Sequence, residues 1–324
     1  MDRFRIRYIA FVILLSVLGI SIFVSLIAGT IRISLGEIFS GRDSENWPII
    51  CYLRLPRIVI AAIVGANLAV SGVLLQSVMQ NPLVDPGITG VSSGASIMAI
   101  LIMLYLPDHY YLLPVASFLG GLVAAVTVYL LAWKKGLTPV RVVLAGVAVN
   151  AFLGAISSML AILNSEKISG VLMWLNGNIS GRSWKHVAIL SVYSPPILIL
   201  SILLAKACNL ISLGDRNAVS LGTNINRARI IISLVAVFLA SLSTSVVGII
   251  GFIGLVVPHI SRMIIGSNHK YLIPFSMFMG SSVLVLADTL SRTITKPYEI
   301  PVGITMSVFG GPFFLYLLRR RMHK

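Results

Sequence analysis

Charge is scarce in this chain of 324 residues. Only 11% of them are charged, against about 25% in an ordinary soluble domain. Acids are the scarcest, with 10 Asp and Glu against 25 Lys and Arg. So little charge excludes a soluble globular enzyme and a disordered or collagen-like chain. Cysteine is nearly absent, with two residues, Cys51 and Cys208. There is no G-x-x-x-x-G-K-[ST] phosphate loop, no H-E-x-x-H, no Cys/His cluster with metal spacing, and no convincing Ser, His and Asp set. What fills the chain instead is apolar: 57% of residues are hydrophobic and the mean hydropathy is +0.97. Lipid, not water, is the solvent this composition suits. The net charge of +15 invites a nucleic-acid reading. The cations, however, sit in short clusters between long apolar runs, which is the pattern of membrane loops and not of a nucleic-acid surface.

A helix needs about 20 mostly apolar residues to cross a bilayer. Runs free of Asp, Glu, Lys and Arg cover 8–31, 58–84, 86–107, 109–133, 142–165, 186–205, 230–261, 271–287 and 300–318. The run 230–261 is too long for one span, and Gly248, Gly251, Gly254 and Pro258 interrupt it. It divides into a span at about 230–248, a turn, and a shorter span at about 251–266. The expectation is an all-α polytopic membrane protein of about ten crossings, forming a single transmembrane domain over 1–324. An even count puts both basic tails, Arg3/Arg5/Arg7 and Arg319/Arg320/Arg321/Lys324, on the cytoplasmic side. The first run follows a basic segment but exceeds a signal-peptide core and lacks a clean cleavage site, so it reads as an uncleaved span. In this topology Cys51 and Cys208 lie on opposite sides and cannot pair.

Several outer arginines remain on the side that the topology rule disfavours. Residues 53–57 read Leu-Arg-Leu-Pro-Arg, and Asp288 with Arg292 has the spacing of an i,i+4 ion pair. At the inner face, 81–94 reads Asn-Pro-Leu-Val-Asp-Pro-Gly-Ile-Thr-Gly-Val-Ser-Ser-Gly, a proline-stiffened turn followed by a G-x-x-x-G that permits close helix approach. The most polar stretch is 213–229, Leu-Gly-Asp-Arg-Asn-Ala-Val-Ser-Leu-Gly-Thr-Asn-Ile-Asn-Arg-Ala-Arg, which suits two short helices joined by a glycine. In the fifth span, Asn150, Gly154, Ser157 and Ser158 share one helix face; such a stripe meets protein or water and not lipid. Residues 257–262 read Val-Pro-His-Ile-Ser-Arg, and the chain ends on Gly-Gly-Pro-Phe-Phe-Leu-Tyr-Leu-Leu-Arg-Arg-Arg before its last three residues.

In this order the segments resemble the permease subunits of the iron-siderophore, haem and cobalamin ABC importers, the FecCD-type family, from about residue 50 to the C-terminus. The resemblance implies a bundle of the type II importer kind in the cytoplasmic membrane of a bacterium. It implies a pairing with a second permease subunit, identical or related, with two ATPase subunits that use ATP and Mg, and with an external substrate-binding protein that delivers an iron chelate. This chain itself would then be no enzyme and would bind no cofactor, metal or nucleic acid. Residue by residue, it implies docking of the binding protein at Arg54, Arg57 and Arg292, and coupling to the ATPase through 209–229, with Asp215, Arg216, Ala218, Ser220, Leu221 and Gly222 as contacts. It also implies a cytoplasmic gate at Asn81 and Leu83, and a pathway face at Asn150, Gly154, Ser157 and Ser158. Ferric siderophore is the expected cargo, with haem or cobalamin as alternatives. An ion-coupled secondary transporter is more remote, because the apolar runs bury no acidic or basic relay. A single His259 is a poor metal site, so a structural hydrogen bond suits it better.

Overall fold

In a computed structural model, residues 3–29, 31, 33–134 and 136–322 are described. Lys135 and Lys324, two of the cations expected on the inner side, lie outside them. Among the described residues all regular structure is helical: α1 (Arg3–Ile27), α2 (Leu35–Ser40), α3 (Leu55–Val78), α4 (Val91–Tyr105), α5 (Leu113–Ala132), α6 (Pro139–Leu163), α7 (Ile168–Leu175), α8 (Trp184–Leu203), α9 (Ala205–Ile211), α10 (Asp215–Ser220), α11 (Ile225–Val247), α12 (Ile253–Ile265), α13 (His269–Ser291) and α14 (Val302–Met322). A π-helical lead-in, Ile49–Arg54, runs into α3. Local chemistry sets the starts. Proline stands in the first turn of α3, α5 and α6, where its missing N–H costs nothing. The side chains of Asn224 and Asn268 accept from Arg227 and Lys270 amides to open α11 and α13.

Among the described residues, seven helices are long and apolar enough to cross a membrane, and three apolar helices, Val91–Tyr105, Ile253–Ile265 and Val302–Tyr316, are shorter. Together they occupy the places of the expected crossings. The short ones differ from the expectation for a physical reason. The apolar run at 86–107 spends its first residues on a 3-10 turn, Pro86–Thr89. The run at 230–261 spends 248–252 on an irregular link. A 13-residue helix rises only about 20 Å. Non-helical backbone at such a depth is tolerated where protein covers it.

Burial sorts the bundle. The spans of α3, α11 and α13 are mostly inside, whereas those of α1, α6 and α8 face outward along most of their length. α3 is the axis, packed by α13, α11, α12 and α8. It can sit there because glycines let backbones meet: a methyl group on Gly65 would run into the Gly280 carbonyl of α13, and one on Gly280 into the Gly65 carbonyl. The expected close approach at Gly94 is also present, against Gly120 of α5, while Gly90 takes a left-handed φ of 85° at the head of α4. The N-terminal helix α1 lies along α13, with the Arg7 guanidinium over the Tyr271 ring and donating to the Ile265 carbonyl at 3.3 Å. The end bearing Arg7, Ile265 and the turn after α3 is called inner below, and the opposite end outer.

Candidate functional site

At the outer end, five helix termini and loops converge on a cluster of arginines and acids. Asp288 of α13 is fully buried. Its carboxylate accepts from Arg57 Nε at 2.9 and 3.0 Å and from Arg57 Nη2 at 2.9 Å. Arg57 Nη1 reaches Glu299 at 2.8 Å, and Arg292 Nε lies 3.6 Å from Asp288. Arg292 also donates to the Ser25 carbonyl at 2.5 Å and the Ser25 hydroxyl at 2.6 Å. Arg54 donates to the carbonyls of Leu26, Ile27 and Ile31. Two arginines therefore cap the C-terminal end of α1, where main-chain oxygens lack helical partners. Beside them lies a cavity of about 160 Å³ walled by Arg54, Arg57, Ser180, Arg182, Arg292 and Glu299. Burial works to raise the Glu299 carboxyl, but the Arg57 charge and hydrogen bond outweigh it and hold the group below its ordinary range. Desolvation pushes the Arg292 guanidinium down to about 10, against the pull of Asp288.

These positions alter the reading of the outer arginines as exposed cations. Arg54, Arg57 and Arg292 are only 5%, 9% and 3% exposed. The sequence pattern could not show this, because the groups that bury them are the free carbonyls of α1 and a carboxylate far along the chain. The i,i+4 pairing of Asp288 with Arg292 exists, yet the closer partner of Asp288 is Arg57. Among the described residues, Arg42, Lys185 and Lys296 stand open on the outer surface.

At the inner end, α3 stops at a turn tied down by its own side chains. The Asn81 side chain accepts from the Leu83 amide at 3.0 Å, and Asp85 accepts from the Gly87 amide at 2.8 Å. Burial pushes the Asp85 carboxyl up from its ordinary value, while the Gly87 amide works the other way. Asn81 and Leu83 are exposed. Gln76, two residues before the end of α3, donates to the Val84 carbonyl at 3.2 Å and the Gly254 carbonyl at 3.0 Å. Arg262 donates to the Gln76 side-chain oxygen, Oε1, at 2.5 Å. His259 is half-buried and has a partner of its own. Among the described residues no three His, Cys, Asp or Glu side chains gather as a metal site.

The polar stretch at 213–229 forms the short helix α10 between Gly214 and Gly222, both with positive φ, followed by the start of α11. Of its six expected contact residues, Asp215, Arg216, Ser220, Leu221 and Gly222 are exposed, with Leu221 60% open. Ala218 is fully buried against the bundle, so it seats the helix and offers no outer contact. Asp215 stays open, its side chain 51% exposed, while its carboxylate accepts from Arg229 Nη2 at 2.9 Å, Arg229 Nη1 at 3.2 Å and Gln80 Nε2 at 3.1 Å. Alongside lies a groove of about 820 Å³, walled by Arg141, Thr138, Val219, Asn224 and Arg229. Lys134, Gly136, Leu137, Thr138 and Arg141 supply the facing wall of this groove. Arg229, only 3% exposed, also fixes it by donating to the Leu137 carbonyl at 3.0 Å.

In α6, the four-residue stripe splits. Asn150 meets α4, accepting from Ser93 at 2.7 Å and donating to the Gly87 carbonyl at 3.1 Å. Ser157 is half-buried, Ser158 is exposed, and nothing lies within 4 Å of a methyl group placed on Gly154. The free cysteines, Cys51 and Cys208, sit at the outer and inner ends.

A helical membrane bundle with a short exposed helix and a groove at its inner end has the build of a permease subunit moved by another protein. The chain belongs to the FecCD transport family, whose profile matches residues 17–320. It is 40% identical over 319 residues to the Fe(3+)-citrate import system permease protein YfmD of Bacillus subtilis (strain 168), covering 98% of this chain and 96% of that one. It is 41% identical over 315 residues to IsdF of Staphylococcus aureus (strain MSSA476), a probable heme-iron transport system permease protein, covering 96% of each. A solved inward-facing structure of a metal-chelate type ABC transporter superposes with a TM-score of 0.85 at 29% identity, over 98% of this chain and 99% of that one. PsaBC of Streptococcus pneumoniae shares the fold alone, with a TM-score of 0.56 at 19% identity over 80% of this chain and 89% of that one.

Proposed function

We propose that this chain is the membrane-spanning subunit of an ABC importer that carries an iron chelate across the cytoplasmic membrane, with ferric siderophore as the cargo. The observation that carries this reading is the 40% identity with an iron-citrate permease over nearly the whole chain. The inner-end geometry fits it, because an exposed short helix beside a groove is what a motor subunit can grip. The chain has no nucleotide site of its own in this reading. Two ATPase subunits using ATP and Mg seat on Arg216, Ser220, Leu221 and Gly222, and both tails are cytoplasmic. A second permease, identical or related, meets the outward face of α6 around Gly154. Asn81 and Leu83 form the inner gate, and the cargo passes along the α6 face. An external binding protein docks on the outer rim, guided by the positive field of Arg54, Arg57 and Arg292 below exposed Arg42, Lys185 and Lys296. Such fields steer and orient partners more than they tighten them.

Haem is the second reading for the cargo, favoured by the equal likeness to IsdF. The test is reconstitution of the purified complex in vesicles. Uptake of a radioactive ferric hydroxamate should require an active ATPase subunit and survive collapse of the proton gradient. Preference for haem over the hydroxamate would select the second reading. Uptake abolished by a protonophore with ATP present would refute the importer assignment.

A further inference from the structure

α10 has only six residues, and it hangs between two glycines in left-handed φ, 92° at Gly214 and 78° at Gly222, with open space around both. Main chain of this kind bends under load, so a push on α10 does not travel efficiently along the backbone into α9 or α11. Side-chain links can carry it instead. The described contacts give one continuous route. Asp215, the first residue of α10, is gripped by Arg229 of α11, which also holds the Leu137 carbonyl of the facing segment. The same carboxylate accepts from Gln80 Nε2, and Gln80 donates to the Ile211 carbonyl at 2.9 Å as well. Gln80 closes the inner end of α3 with φ 47° and directly precedes Asn81. Four residues earlier, Gln76 fastens the other limb of the turn to α12 through Val84 and Gly254.

We propose that Gln80, Asp215 and Arg229 form the transmission between the coupling helix and the inner gate. Gln80 is the moving link, Gln76 the fixed one, and Asp215, its side chain 51% exposed, a positioning residue between them and α10. The inference deepens the permease reading and rests on it. A displacement of α10 draws the Asp215 carboxylate, and with it the amide of Gln80, so the turn at 81–86 swings against its anchor at Gln76. Discrete two-state elements linked in this way turn a local push into a gate movement.

The experiment uses the reconstituted complex and measures chelate delivered per ATP hydrolysed, beside co-purification of the ATPase subunits. In Gln80→Ala the ATPase subunits should still co-purify and hydrolyse ATP, while delivery per ATP falls on the order of tenfold, the weight of one hydrogen bond to a charged group. Gln80→Lys, whose ammonium can reach both Asp215 and the Ile211 carbonyl, should restore most of the lost ratio; a merely space-filling role would not be rescued. An unchanged ratio in Gln80→Ala overturns the proposal. So does loss of the ATPase subunits, a parallel fall of hydrolysis and uptake, or failure of Gln80→Lys to rescue. Absence of ATP-driven uptake in the wild type would instead sink the permease reading itself, and the inference with it.

Discussion

Asp288→Asn is the sharpest probe of the outer cluster. The wild-type carboxylate is fully buried and carries three contacts of 2.9 to 3.0 Å from Arg57. Asparagine keeps the shape but not the charge. Arg54, Arg57 and Arg292 would then share the one carboxylate of Glu299, whose side chain is 29% exposed. Removing one partner of a buried ion pair costs about 3–5 kcal/mol, because the other charge stays desolvated. At roughly 2–3 °C per kcal/mol for a chain of this size, the melting temperature should fall by about 6–15 °C. The assay is thermal unfolding in detergent, followed by the loss of the monodisperse chromatographic peak. The reasoning also requires an asymmetry: Arg57→Leu with Asp288→Leu removes both charges and should melt closer to the wild type than Asp288→Asn does. A single variant melting within about 1 °C of the wild type would refute the argument, as would a double variant no better than the single.

Other outcomes follow from the same geometry. Gly280→Leu should cost folded protein heavily, since its side chain has only the Gly65 carbonyl and Ala69 to enter, whereas Gly154→Leu should melt like the wild type because open space receives it. If the α6 face serves the second permease or the pathway, the Gly154 variant should still transport poorly, which vesicle uptake checks. Acidification gives a signed test: the Glu299 carboxyl is held below its ordinary 4.5, so its contribution is complete above that pH and lost as pH falls through the lowered folded value. The stability gap between the wild type and Glu299→Gln should therefore be flat at neutral pH and close only in acid; a gap that widens in acid would contradict the pairing. Gly222→Val forces a branched residue into φ 78° at the end of α10 and should leave ATP hydrolysis running while uptake drops severalfold. Wild-type uptake in that variant would count against coupling at this helix.

The helix positions were legible because apolar runs, prolines and glycines mark them locally. The break in 230–261 is the best case: Gly248 ends α11 and α12 resumes at Ile253. The shortness of α4 and α12 was not legible, because hydropathy does not record whether an apolar residue sits in a helix or in a covered loop. The outer arginines show the deeper limit. Their sequence context marks them as functional, yet Arg57 meets Asp288 across 231 positions and Arg292 meets Ser25 across 267. Nothing local foretells such partners. Likewise the family resemblance marks Asp215 as a coupling contact, but that its carboxylate also meets Arg229 and Gln80 emerges only when α3 and α11 are brought together. Gln76 and Gln80 carry no motif at all, although an amide such as Gln76 near the end of a long apolar helix is a signal that polar partners await it.

The outer grips on α1 hold main-chain oxygens: Arg54 on Leu26, Ile27 and, just past the helix, Ile31, and Arg292 on the carbonyl of Ser25 as well as its hydroxyl. A staple that clasps the peptide itself is largely indifferent to the side chains it passes. Beyond Arg7, whose own side chain fastens the head of the helix, the first helix is therefore free to drift in composition, trading one greasy residue for another, while its tail remains clipped to the rest of the protein.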